Sequence, residues 1–147
     1  MTEKIERILG NRDSNIWSVT PDATVFDAVV MMADKEIGAL MVVEHGRLVG
    51  VISERDYARK IILQGKHSKE TPVHEIMTTE LVTVTPDHTV DECMRLMTDH
   101  RVRHLPVLEG TRLAGVVSIG DLVKAIISEQ AHTIDQLQSY IGSGYPA

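Results

Sequence analysis

The chain has 147 residues, which suits one ordinary domain or two small ones. Apolar residues make up 43% and aromatics only 3%, so the core must be aliphatic and methionine-rich. A formal charge of −6 argues against a general nucleic-acid binder, which needs a basic face, and no apolar run approaches a membrane span.

The first ten residues carry no hydrophobic signal core. Within them Ile5, Ile8 and Leu9 are spaced for one helical face, which polar residues 10–14 break. Residues 16–19 form a short extended stretch closed by Thr20-Pro21-Asp22. Thr24 opens a helix through about Lys35, with Val25, Ala28, Val29 and Met32 on one face. Residues 40–44 predict a strand, His45-Gly46 a turn, and residues 48–53 a second strand in hairpin relation to the first. A helix from Asp56 to about Gln64 turns Tyr57, Ile61 and Ile62 inward. The polar stretch 65–72, closed by proline, is the clear linker.

The pattern then restarts. Val19-Thr20-Pro21-Asp22-Ala23-Thr24-Val25 matches Val84-Thr85-Pro86-Asp87-His88-Thr89-Val90, and 40–44 matches 105–109. Residues 18–63 and 83–128 share 19 identities at a constant offset of 65, with no gap. The architecture is therefore α/β (α+β): two β-α-β-β-α units related by a pseudo-twofold axis, with two equivalent clefts. The expected division is an N-terminal helix (1–12), repeat one (13–66), a linker (67–72), repeat two (73–128), and a C-terminal helix and tail (129–147). Ile134, Leu137 and Ile141 lie on one side of that last helix, with no heptad pattern long enough for a coiled coil. They and Ile5, Ile8 and Leu9 need a surface, either the domain itself or a second copy.

One segment carries the chemistry. Gly50-Val51-Ile52-Ser53-Glu54-Arg55-Asp56 recurs as Gly115-Val116-Val117-Ser118-Ile119-Gly120-Asp121. The β-branched pair suits a buried strand, Ser the helix N-cap, and Asp the first turn. Such a junction offers amides to a phosphate and a carboxylate to a ribose diol. A single copy reads most simply as a capping box that serves only the helix start. Its recurrence inside a full repeat favours a ligand site.

Two copies of Thr-Pro-Asp-x-Thr-Val, then Leu-x-Val, then Gly-h-h-Ser-x-x-Asp (h, apolar) resemble a tandem cystathionine-β-synthase (CBS) domain pair, or Bateman module, of the stand-alone bacterial type. The resemblance covers residues 13–128. It implies clefts between the repeats that bind adenine nucleotides: AMP first, then ATP, ADP or NAD, with S-adenosylmethionine in some members. It places ribose and phosphate at Ser53, Arg55, Asp56, Ser118 and Asp121, and the base in a pocket drawn from Ile16, Trp17, Thr78, Val82, Leu105 and Pro106. Arg103 and His104 are the implied phosphate contacts, expected in the cleft of Asp121. The first repeat has Gly38-Ala39 at those positions, so its phosphate must be met by Arg55, or by Arg103 or His104 reaching across the axis. The resemblance further implies a disk-like homodimer, with the aliphatic faces 25–32 and 90–97 as contacts against which core burial competes, and an effector protein that responds to occupancy.

Other constellations carry less. His100 and His104 are separated by a helix end and are not expected to hold a metal. The single cysteine, Cys93, reads as a small core hydrophobe and implies a reducing, cytoplasmic setting. Met31, Met32, Met94 and Met97 read as core filling, and Arg59-Lys60 as a solvated face. No Gly-rich phosphate loop, metal-ligand set or carboxylate pair supports an enzyme, and the repeats leave no room for a catalytic domain. The alternative is a ligand-free module for dimerisation or docking.

Overall fold

A computed structural model describes residues 2–9 and 16–142. Helix α1 is Ile5–Leu9. The first repeat runs β1 (Ser18–Val19), α2 (Val25–Lys35), β2 (Ala39–Glu44), β3 (Arg47–Ser53) and α3 (Glu54–Tyr57), which continues as a π-helical turn, Ala58–Ile62. After a 3₁₀ turn at Val73–Glu75, the second repeat gives α4 (Val90–His100), β4 (His104–Glu109), β5 (Arg112–Ser118) and α5 (Ile119–Gly142).

Local chemistry sets the boundaries. Thr24 and Thr89 cap α2 and α4 through their hydroxyls, and Glu92 completes a capping box at α4. Both helices end on a left-handed residue, Glu36 (φ 54°) and Arg101 (φ 56°). The β2–β3 hairpin turns at His45-Gly46, both with positive φ, as a tight two-residue turn demands. β1 pairs parallel with β2, and β2 antiparallel with β3. The second sheet repeats the hairpin and its bulge, with Val84 bridged to Val107 in place of a full first strand.

Two aliphatic cores result, and each is closed by a segment from outside its own β-α-β-β-α unit. Val73 and Ile76 are buried with Val25, Ala28, Met32, Leu40, Val42, Ile52 and Ile61. Ile5 is buried with Val84, Val90, Cys93, Met97, Leu105, Val107, Val117 and Leu122. The hydrogen bonds match: Val25 N to Thr71 O (2.9 Å) and Val73 N to Ala23 O (2.8 Å) in one case, Val90 N to Glu3 O and Ile5 N to His88 O (both 2.9 Å) in the other. Ile5 thus corresponds to Val73, an offset of 68 rather than 65, because three extra residues fall between Leu9 and Ile16. The stretch 65–72 is more than a spacer, since Thr71 is buried and its hydroxyl donates to His67 O (2.8 Å).

Several expectations are corrected. Ile61 is buried but Ile62 is exposed, because successive helical residues point about 100° apart and only one can face the core. Core burial takes Val25, Ala28 and Met32 of the face 25–32 and Val90, Cys93 and Met97 of the face 90–97, while Phe26 and Val30 stay exposed. The C-terminal helix does not begin after Ser128; α5 runs unbroken from Ile119. α1 packs back on the domain through Ile5, Ile8 and Leu9, whereas Ile134, Leu137 and Ile141 stay exposed. The whole 10–14 breaker lies outside the described residues, whereas the pocket candidates Ile16 and Trp17 lie within them.

Candidate functional site

Each hairpin delivers its second strand into a helix start at the axis between the repeats. Ser53 is extended (φ −125°) and caps α3: its hydroxyl oxygen accepts from Asp56 N (3.1 Å), and the Asp56 carboxylate accepts from Ser53 N (3.0 Å). The second repeat repeats this, with Asp121 N donating to Ser118 Oγ (3.2 Å) and Ser118 N to Asp121 (2.9 Å). The first helical amides are also engaged: Glu54 N with Gly38 O (3.0 Å) and Ile119 N with Arg103 O (2.9 Å). With these amides engaged, side chains must supply most of the charge for a bound anion.

The two carboxylates differ in their surroundings. Asp56 is buried, ion-paired to Lys60 Nζ (3.0 Å), and accepts further from the hydroxyls of Ser53 (3.1 Å) and Thr78 (3.3 Å). Lys60 also donates to Ile76 O (2.8 Å), so it belongs to the site and not to a solvated face. Its counterpart beside Asp121 is Ala125. The hydroxyls of Ser53 and Thr78 are the donors that a ribose diol can replace at Asp56.

Two clefts open at these junctions. The first, about 320 Å³, joins Ser53 and Asp56 to apolar walls of Val51, Leu81, Val82 and Pro106. Arg55, Arg101 and Arg103 supply its cations, with His104, Glu54 and Glu80 also in the lining. The second, about 570 Å³, joins Ser118 and Asp121 to Ile16, Trp17, Met41 and Val116, with Glu36, Gly38 and His104. Both fall near the range of small-ligand sites.

This arrangement revises the expected sharing of residues. Arg103 lines the cleft of Asp56, not that of Asp121: the arginine crosses the axis to serve the first motif. His104 lines both clefts, its ring carbon 3.5 Å from where a Cβ at Gly38 would sit. The small pair Gly38-Ala39 leaves the room that Arg103-His104 fill. Ile16 and Trp17, from the first repeat, wall the second cleft, and Val82 and Thr78 wall the first. Leu105 lies in neither: it is 0% exposed in the second core, because side chains alternate along β4 and its neighbours His104 and Pro106 take the cleft side.

Sequence reasoning missed Arg101, Glu36, Leu81, Met41 and Lys60. Arg101 and Glu36 were detectable as the same repeat position, 65 apart, at helix ends that must turn toward the hairpin. The structure adds a latch at the first cleft, where Arg55 Nη1 donates to Arg101 O (2.9 Å) and ties α3 to the end of α4. Burial lowers the pKa of His104 against the opposing pull of Asp121 and Glu54. Burial pushes the Cys93 thiol up to about 11, well away from a reactive thiolate. No helix among the described residues is long and apolar enough to cross a membrane.

These features agree with what the chain is similar to. It is 49% identical over 135 residues to the mitochondrial CBS domain-containing protein CBSX3 of Arabidopsis thaliana, covering 88% of this chain but 65% of that protein. A solved CBS-domain protein from Burkholderia ambifaria superposes with a TM-score of 0.83 at 49% identity, over 86% of this chain and 96% of that one. The CBS domain pair of MJ0100, solved with 5′-methylthioadenosine and S-adenosyl-L-methionine, shares the fold at 24% identity (TM-score 0.77; 88% and 99% covered). The CBS domain family itself matches over residues 9–63 and 73–128. With two matched segments, two repeated hairpins and two clefts between them, the chain belongs to the CBS-domain family as a tandem pair.

Proposed function

We propose that this CBS pair is a regulatory module that senses adenine nucleotides, with AMP as the leading ligand and ATP, ADP or NAD behind it, and that the first cleft is its phosphate-binding site. One observation carries the reading: Arg55, Arg101 and Arg103 converge on the Ser53-Asp56 junction from both repeats. The ribose diol falls to Asp56, the base to Leu81, Val82 and Pro106, and the phosphate to the arginines. The adenosine-type ligands of the MJ0100 pair support a nucleoside in such clefts.

Binding has an evident mechanical consequence. A phosphate competes with the Arg101 carbonyl for Arg55, and so exchanges a contact between repeats for a contact with ligand. Ligand therefore biases the packing of α3 against α4, which an effector protein reads. The module binds and signals in the cytoplasm and performs no chemistry of its own.

Calorimetric titration of ligand-stripped protein with AMP, ATP and NAD tests this. AMP is expected to bind, and Arg103→Ala to weaken it about tenfold or more, the worth of one charge-assisted hydrogen bond. If none of the three gives heat or raises the melting temperature, the reading fails and a ligand-free docking module takes its place.

A further inference from the structure

Lys60 is tied into the first junction without being part of the cleft wall. It stands in the π-helical turn Ala58–Ile62 that follows α3, a geometry frequent at functional sites. Its ammonium makes two contacts, an ion pair to Asp56 Oδ1 (3.0 Å) and a hydrogen bond to Ile76 O (2.8 Å). Ile76 is buried in the first core, so the second contact anchors the ammonium to a close-packed part of the molecule.

The donors around the Asp56 carboxylate are of two kinds. On Oδ1 they are the Lys60 ammonium (3.0 Å) and the Thr78 hydroxyl (3.3 Å). On Oδ2 they are the Ser53 amide (3.0 Å) and the Ser53 hydroxyl (3.1 Å), with the Thr78 hydroxyl again at 3.5 Å. Each oxygen has two lone pairs, so the carboxylate is full. Each oxygen is also held by one donor that stays, an ammonium or an amide, and by one hydroxyl that a ligand hydroxyl can replace. The two replaceable places, one per oxygen, match the two neighbouring hydroxyls of a ribose. An aspartate carboxylate turns easily about its last bond, whose torsional minima are broad. The Ser53 amide holds one oxygen, and Lys60 holds the other and stops that turn.

We propose that Lys60 is a specificity-determining positioning residue. Acting through Asp56, it sets the preference of the first cleft for a ligand with both ribose hydroxyls over one that lacks either. The inference rests on reading Asp56 as the ribose site.

Ligand-stripped full-length chain is titrated by calorimetry with AMP, 2′-deoxy-AMP, 3′-deoxy-AMP and adenosine. The heat lost in Asp56→Asn identifies the first cleft. In the wild type each missing hydroxyl is expected to weaken binding about tenfold or more, the scale of one hydrogen bond to a charged group. In Lys60→Met, which keeps the apolar stem, that penalty is expected to shrink to about threefold or less, and Lys60→Arg restores it. Lys60→Gln, which keeps a neutral donor, falls between the two and carries the comparison where Lys60→Met does not fold. The ratio of AMP to adenosine affinity, which reads the arginines, stays within about twofold of wild type, since those side chains do not touch Lys60. Each comparison is a ratio within one variant, so a loss of stability that weakens every ligand alike cancels. A penalty of wild-type size in Lys60→Met makes the ion pair a helix-stabilising contact only and overturns the inference, while the nucleotide-sensing reading stands. A wild-type chain that binds AMP at the first cleft with no hydroxyl penalty overturns it too. If AMP gives no heat that depends on Asp56, the ribose reading falls and this inference falls with it.

Discussion

His104 is the one side chain that both clefts share, and its ionisation links them to pH. It faces Asp121 on α5, Glu54 on α3 and Arg103 just before its own strand, with Arg55, Arg101, Asp56 and Glu36 on the walls beyond. Burial outweighs the acids and lowers its pKa from 6.5. The folded chain therefore binds fewer protons than the unfolded chain below that value, and stability falls as pH drops through 6.5 toward the folded pKa. His104→Gln is expected to flatten this part of the melting-temperature profile between pH 5 and about 7. A phosphate in the first cleft favours the imidazolium, so AMP affinity is expected to rise as pH falls, by at most about tenfold per unit, and to lose that slope in His104→Gln. At this scale the motif residues were legible, because Ser53, Asp56, Ser118 and Asp121 recur with their spacing. The owner of Arg103 was not legible. A residue's repeat is written in the sequence, but the cleft it enters depends on how the two hairpins meet at the axis. Leu105 lies in the core for a similar reason, since a resemblance names a segment while strand alternation decides which of its residues face the cleft.

The secondary elements were legible wherever local chemistry defines them. Thr24, Thr89, His45-Gly46 and the alternating strands all state their roles within a few residues. The segments that cross to close the cores, 3–9 and 71–77, state little locally. A helix of five residues is not stable alone, and α1 exists because Ile5 is buried in the second core. Ile5→Ala is expected to cost about 2–5 kcal/mol by denaturant unfolding, and Val73→Ala, its counterpart, a comparable or smaller amount. The two glycines that open the motifs separate these closures more finely. A Cβ at Gly50 would lie 2.6 Å from Met77 Sδ and 3.2 Å from Thr78 O, whose carbonyl accepts from Val51 N. A Cβ at Gly115 would lie 3.0 Å from Leu9 Cδ2, the end of a side chain that can turn aside. Gly50→Ala is therefore expected to destabilise by about 1–3 kcal/mol and to loosen Thr78 from Asp56, and Gly115→Ala to cost less. Equal melting temperatures for the two variants would mean that the Thr78 strand yields as easily as a leucine side chain.

The pseudo-twofold axis was legible in the whole molecule because 19 identities recur at one offset without a gap. Which surface meets another copy was not, since an aliphatic face in a sequence does not say whether its own core fills it. With the buried faces of α2 and α4 turned into their cores, the exposed apolar residues among those described include Phe26 and Val30 on α2, Ile62 and Leu63 after α3, and Val123 and Ile127 on α5. Ile62 and Ile127 are counterparts in the two repeats, and each is 59% exposed. One such residue is ordinary on a protein surface; the same exposure at both symmetry-related positions is what an isologous contact uses. Burying each isoleucine is worth about 1.5–3 kcal/mol, and a dimer buries four of them. The expected state is a homodimer, and Ile62→Glu with Ile127→Glu is expected to halve its mass in sedimentation equilibrium. Because both side chains already face water, the helical signal and the cooperativity of melting should survive. A wild-type chain that sediments as a monomer, or a double variant that keeps the dimer mass, would move the interface elsewhere. The remaining exposed stripe for such a contact is Ile134, Leu137 and Ile141 on the extension of α5.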